Sequence, residues 1–197
     1  EFQLRNFAGS LRLVHHSSHQ SQQYKLEDSL LKKFPEDIEK SRGFISGLEA
    51  DMKTLAAHPH PEDGFAGMTV KNDNLTDKDN AGAALLEAFK DVRGMEPVPI
   101  GTYRGFQMSL TLEDFGKDYV LTLKGQMTHR VTLGKDARGN LTRIDNVLNA
   151  MPDRLQNVRN TLDAMTAQME AAKAELGKPF PQEEELRVKS ARLAELN

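Results

Sequence analysis

Apolar residues recur at alternating steps of three and four along Leu141, Ile144, Leu148, Met151, Leu155, Val158, Leu162, Met165, Met169, Ala172 and Leu176. That is an unbroken heptad seam, and a helix with so narrow an apolar stripe needs a partner helix to bury it. A matching stripe runs through Tyr24, Glu27, Leu31, Phe34, Ile38, Ser41, Ile45, Leu48, Met52 and Leu55. In antiparallel register Met52 comes level with Ile144, Leu48 with Leu148, Ile38 with Val158 and Phe34 with Leu162, all apolar pairs, while Glu27 and Ser41 are single polar intrusions. Arms of about thirty residues would reach roughly 45 Å. Pro35 and Pro152 fall inside the arms and predict a kink or a broken turn at each.

Between the arms the period changes. His58-Pro59-His60-Pro61-Glu62-Asp63-Gly64 stops the first helix, and Met68 to Lys71 suits a short edge strand. Thr76, with Asp79 three residues on, predicts a capped helix carrying Ala81, Leu85, Ala88 and Val92 on one face and ending at Gly94. Phe106, Met108, Leu110 and Leu112 alternate with polar residues, as do Leu121 and Leu123, and again Met127, His129, Val131 and Leu133, giving three half-buried strands. Asn140 is placed to cap the long helix. The pattern predicts an α+β chain: a long antiparallel helical hairpin, or coiled-coil stalk, with a small antiparallel β-meander and one helix inserted at its tip. The expected segments are 1–57 (an N-terminal helical segment and first arm), 58–139 (the inserted head), 140–177 (the second arm) and 178–197 (a C-terminal helix). Further helical stripes are expected at Leu4, Phe7, Leu11 and Val14, and at Leu186, Leu193 and Leu196, the latter after Pro179-Phe180-Pro181.

Composition fits an elongated helical part: of 197 residues 28% are charged, 38% hydrophobic and only 6% aromatic, with no Trp. A net charge of -3 gives no whole-protein attraction to nucleic acid or membrane, so any basic footprint has to be local. The chain has no Cys, which removes disulfides, thiolate nucleophiles and cysteine metal sites and fits a reducing, cytoplasmic setting. There is no apolar run of about eighteen residues and no leader pattern, so no membrane span is expected. An apolar pattern already under way at Glu1 reads as a piece of something larger.

Candidate chemistry is sparse. His15 and His19 lie one helical turn apart beside His16, but no carboxylate or Cys completes a metal set nearby, so no metal is assigned. Asp77-Lys78-Asp79-Asn80-Ala81-Gly82 opens like a calcium loop, then fails at Ala81 and at Ala88, where the bidentate Glu belongs. No GxxxxGK[ST] or GxGxxG occurs, and Gly101-Thr102-Tyr103-Arg104-Gly105 lacks the following helix that phosphate cradling needs, reading instead as a tight lead into a strand with Gly105 as a bulge. His129 lies on the apolar parity of its strand, which points to a packed, hydrogen-bonded histidine and not a general base. No catalytic residue and no cofactor are assigned. The head does carry a local basic excess, and Arg104, Lys124, Arg130, Lys135 and Arg138 are the candidate nucleic-acid contacts. Lys124 and Arg130 share the outward parity with Ser109, Thr111, Thr122, Thr128 and Thr132, groups able to donate to phosphates. That face lacks aromatics, so base stacking is not expected.

Several stretches carry a resemblance: Pro97-Val98-Pro99-Ile100-Gly101-Thr102-Tyr103-Arg104-Gly105-Phe106, Leu121-Thr122-Leu123-Lys124-Gly125, Thr128-His129-Arg130-Val131-Thr132-Leu133-Gly134, Asn140-Leu141-Thr142-Arg143-Ile144-Asp145-Asn146 and Lys178-Pro179-Phe180-Pro181-Gln182-Glu183-Glu184-Glu185-Leu186. Over roughly residues 20 to 197 the chain resembles the C-terminal region of very large proteins of bacterial conjugative elements, themselves similar to SWI/SNF-type helicases joined to adenine-specific DNA methylase-like domains. In that family the ATPase and methylase motifs lie upstream, and none is present here, so no catalytic residue transfers. The resemblance implies a DNA-handling parent in the bacterial cytoplasm. The expectation is a non-enzymatic accessory or scaffold module that positions its parent on DNA or on a partner. The alternative is a protein-interaction or dimerisation coiled coil, a homo-oligomer included, with no nucleic-acid contact. An unassigned hydrolase in the head is disfavoured because no activated nucleophile or carboxylate pair can be named.

Overall fold

Alternating inward apolar residues place six strands in one antiparallel sheet. The computed structural model describes residues 32–62, 64–176, 188 and 192. Strands β1 (Met68–Val70), β2 (Asp73–Leu75), β3 (Val98–Tyr103), β4 (Phe106–Glu113), β5 (Asp118–Lys124) and β6 (Thr128–Leu133) lie in the order β2-β1-β3-β4-β5-β6, every neighbour antiparallel. Helix α1 covers residues 32–57, followed by α2 (Lys78–Ala88), α3 (Ala137–Asn149) and α4 (Met151–Leu176). Two-residue turns join β1 to β2 through Lys71-Asn72 and β3 to β4 through Arg104-Gly105. Their left-handed backbones, with φ of 56° at Lys71, 47° at Arg104 and 82° at Gly105, match the strand twist as primed turns do.

The sheet buries one face. Met68, Val70, Ile100, Tyr103, Phe106, Met108, Leu110, Leu121, Leu123, Val131 and Leu133 form a single core with Ala81, Leu85 and Ala88 of α2 and Leu141, Ile144 and Leu148 of α3. Met52 and Leu55 of α1 pack against the same core, and Met151 of α4 belongs to it. A bulge at Ile100 shifts the β3–β4 register. The bulge brings β1 so close that a Cβ on Gly101 would stand 1.9 Å from the Thr69 carbonyl oxygen, and φ there is +146°. Only glycine fits that contact.

These observations overturn the expected architecture. The chain is α+β, but among the described residues there is no long helical hairpin stalk. The sheet has six strands where a meander of three and a short edge strand were expected. Ser41–Asn160, sheet and helices together, is one compact unit, and residues 32–40 and 161–176 belong to another. The seam residues Met52, Leu55, Leu141, Ile144, Leu148 and Met151 face the sheet core. A three-and-four repeat reports only that one side of a helix is shielded, and a sheet shields it as well as a second helix does. In the second unit Ile38 is buried, Phe34, Leu162, Met165 and Met169 are half-buried, and Lys40 pairs with Glu36 at 2.7 Å, which lowers the Glu36 carboxyl below its ordinary range.

Smaller differences have local causes. The supposed single arm breaks at Ala150, one residue before α4, so that Pro152 lies in a first helical turn where its missing donor costs nothing. Pro35 also falls in the first described turn of α1 and leaves it continuous. Asp77, not Thr76, caps α2 by accepting from Asn80 N at 2.9 Å, and α2 gives way at Phe89 to a 3₁₀ turn instead of running to Gly94. Asp136, not Asn140, caps α3. The strand near Met68 lies inside the sheet, and β2 and β3 went unpredicted, β2 for its polar sequence and β3 for its prolines. The stripes at 4–14 and 186–196, the seam from Tyr24 to Leu31, the 178–197 helix and His15, His16 and His19 lie outside the described residues, apart from 188 and 192. Among the described residues no helix is long and apolar enough to cross a membrane.

Candidate functional site

The most buried charge sits on α1. Asp51 is 1% exposed, and its carboxylate caps the β5–β6 turn: Oδ1 accepts from Gln126 N at 2.6 Å, and Oδ2 accepts from Met127 N at 2.9 Å and from His129 Nε2 at 2.9 Å. On the far side of the imidazole, Arg154 Nη1 stands 3.0 Å from His129 Nδ1. A guanidinium can only donate, so Nδ1 accepts and the proton resides on Nε2, which donates to Asp51. The tautomer is thereby fixed, and Phe106 meets the ring edge-on at a centroid distance of 5.7 Å. An Asp-His pair of this kind orients a nucleophile only when the imidazole's second nitrogen is free to face one. Here that nitrogen is occupied by Arg154 and the histidine side chain is fully sealed, so the group ties α1, β6 and α4 together.

A second polar cluster clamps the β3–β4 turn. Tyr103 Oη donates to Asp145 Oδ1 at 2.7 Å, and burial, reinforced by that hydrogen bond, pushes the hydroxyl well above the ordinary tyrosine range. Arg104 Nε donates to the His58 carbonyl at 3.1 Å and Nη1 to Asn149 Oδ1 at 3.4 Å, with Asp145 Oδ1 at 3.8 Å. His60 Nε2 lies 3.6 Å from Asp145 Oδ2. Among the described residues no group of three His, Asp or Glu could hold a metal ion.

The candidate nucleic-acid contacts do not converge. The Arg104 side chain is only 7% exposed and points inward. Arg130 lies on the open face but grips Glu113 through both carboxylate oxygens at 2.5 Å each. Arg138 is committed to Asp79 across the α2–α3 boundary, which lowers that carboxyl and raises the guanidinium. Lys135 is exposed in the loop after β6. Lys124 is exposed on the open face, donating to Thr128 Oγ1 at 3.2 Å. Of the five, Lys124 alone is both on the sheet's open face and clear of a carboxylate partner.

Sheet register organises that face. Asn74, Thr69, Thr102, Gln107, Lys124 and Thr128 are successive cross-strand neighbours, forming one row across all six strands. Pro99, Ser109, Thr122 and Arg130 form a second row beside it. A groove of about 830 Å³ follows these rows, with Lys71 and Lys124 at its sides and Thr69, Thr102, Gln107 and Ser109 along it. A second groove of about 450 Å³ shares Thr69 and Thr102 and continues past Asn74 and Thr76 to His58. Neither is lined by a carboxylate.

Asp51, Arg154, Lys71, Thr69, Thr102 and Gln107 were missed by the sequence reading. Asp51 adjoins the apolar stripe Leu48, Met52, Leu55, and a charge against such a stripe is the signal for a buried partner. Lys71-Asn72-Asp73 has turn composition, which would have revealed the hairpin and with it the Thr69 row. Comparison with protein-family models, with curated proteins and with solved structures returns no match for this chain.

Proposed function

We propose that this chain is a non-enzymatic accessory module of a larger DNA-processing protein, and that it positions its parent through the face of its sheet opposite α2 and α3. The observation that carries this reading is the face itself: among the described residues, helices cover one side of the six-stranded sheet and the other presents a row of hydroxyl, amide and ammonium donors beside a groove with no carboxylate in its lining. The ionisable groups inside the fold support it from the other direction, because the buried Asp51 and His129 and the half-buried Asp145 are each consumed by bonds that hold elements together. The resemblance to helicase- and methylase-like proteins of conjugative elements supplies the DNA context. Binding of labelled DNA at rising ionic strength tests the reading. Weak binding that falls steeply with salt is expected, and failure to bind any DNA at low salt removes it.

A second reading has its own observation. Arg130, Arg138 and Arg104 are paired with Glu113, Asp79 and Asp145, which leaves less free positive charge than their number suggests and favours a protein partner. Co-purification with the rest of the parent chain, together with absence of DNA binding, is the result that reading expects.

A further inference from the structure

We infer that the groove between Lys71 and Lys124 is a binding site for the sugar-phosphate backbone of a single-stranded nucleic acid, an inference that rests on the DNA-positioning reading above. The chain has 29 acidic residues against 26 basic ones, whereas this groove is lined by two lysines and no carboxylate, Asp91 meeting Lys71 from outside the lining. The polar part of its lining, set beside Pro97, Pro99 and Met108, is complementary to phosphate and ribose oxygens: two ammonium groups, the hydroxyls of Thr69, Thr102 and Ser109, and the amide of Gln107. The two lysines stand on β5 and at the β1–β2 turn, three strand spacings apart, which is roughly 14 Å across the sheet. That distance is the reach of a few nucleotides, not of one phosphate.

Lys71 is held there at a conformational cost. It occupies the left-handed region with φ of 56°, where Asn or Gly is at ease, at the first position of the β1–β2 turn. Its ammonium pairs with Asp91 at 2.8 Å, with both side chains about half exposed. A solvent-screened pair of this kind is weak, and a phosphate can replace the carboxylate without stranding a buried charge. The pairing raises the Lys71 ammonium above its ordinary range and keeps it charged.

Single-stranded backbone is favoured over duplex by shape. A groove of about 830 Å³ is in the range of small-ligand sites and admits one flexible strand, whereas a double helix would span it. Among the described residues the face carries no aromatic side chain, so bases have nothing there to stack on and recognition is of backbone, without sequence preference.

Fluorescence anisotropy of the full chain with a labelled oligothymidylate tests this. The double variant Lys71→Ala, Lys124→Ala is expected to lose about tenfold in affinity and to reduce the salt slope by about 1.4, two phosphate contacts on a single strand. Gln107→Glu, which places a carboxylate in the groove at constant shape, is expected to weaken binding several-fold, while Lys90→Ala with Lys173→Ala leaves it unchanged. Circular dichroism with an unchanged melting midpoint certifies that each variant is folded. Binding that survives both groove variants overturns this inference but not the DNA-positioning reading. Tighter binding of duplex than of single strand, or equal displacement by polyglutamate, overturns it as well. Absence of any DNA binding by the native chain overturns the reading and the inference together.

Discussion

Asp51 carries a full carboxylate to a position 1% exposed, and its three donors come from a turn and a histidine more than seventy residues away. A buried anion is tolerable only if every lone pair it presents finds a donor. Replacing it by Ala would leave two backbone N–H groups and the His129 Nε2 proton without an acceptor. Asp51→Ala is therefore expected to lower unfolding free energy by about 3 to 5 kcal/mol in urea titration. Arg154→Ala removes the donor to the buried His129 Nδ1 and should cost about 1 to 3 kcal/mol, less than Asp51→Ala because one acceptor is stranded instead of three donors. Gly125 belongs to this site, since a Cβ there would stand 2.2 Å from Asp51 Oδ1. Tyr103 gives a pH dependence of definite sign. Burial and its bond to Asp145 hold the folded hydroxyl protonated beyond the ordinary tyrosine value of about 10, whereas the unfolded chain releases the proton there. Its contribution is whole below about pH 10 and declines as the pH climbs further. Tyr103→Phe should flatten that alkaline loss while costing about 1 kcal/mol at neutral pH, by denaturation at a series of pH values.

The elements differ in how openly the chain announces them. Strands β4 and β6 alternate in sequence, and their inward sets, Phe106, Met108 and Leu110, then His129, Val131 and Leu133, are buried, while Thr111 on the other parity of β4 is buried as well with its hydroxyl donating to Val120 O. β3 was hidden because Pro97 and Pro99 read as breakers, yet Pro99 lies where the ladder is interrupted by the bulge at Ile100. Asn140 shows a different limit. It was expected to cap a helix, but it is fully buried within α3, accepting from Gly134 N at 2.7 Å through Oδ1 and donating to Gly134 O at 2.8 Å through Nδ2. Its amide thus takes the part of a ladder neighbour just beyond the end of β6. Asn140→Ala should cost about 2 kcal/mol, more than a surface cap is worth, because both Gly134 groups lose their partner. Equilibrium unfolding of that variant beside Asp136→Ala, the true cap, separates the two roles: the cap variant should lose about 1 kcal/mol.

For the whole molecule, the contiguous core lies entirely within Ser41–Asn160. A fragment of those residues is expected to fold cooperatively by itself, with a single thermal transition and protected amides in β4, β5 and β6; a non-cooperative melt would contradict this. The chain by itself determined the alternation of β4 to β6, the apolar face of each helix, the break near Pro152 and the packed state of His129, because period and backbone restriction are local properties. What covers an apolar face is not local. Only tertiary structure decided that Leu148 and Met52 join the core beneath a sheet instead of the seam of a helical stalk, that Arg104, Arg130 and Arg138 are each met by a distant acid, and that Thr69, Thr102, Gln107 and Lys124 fall into one row. Charge and burial at a site are sums over neighbours that strand register brings together from far apart in the chain, and no short window of sequence contains those neighbours.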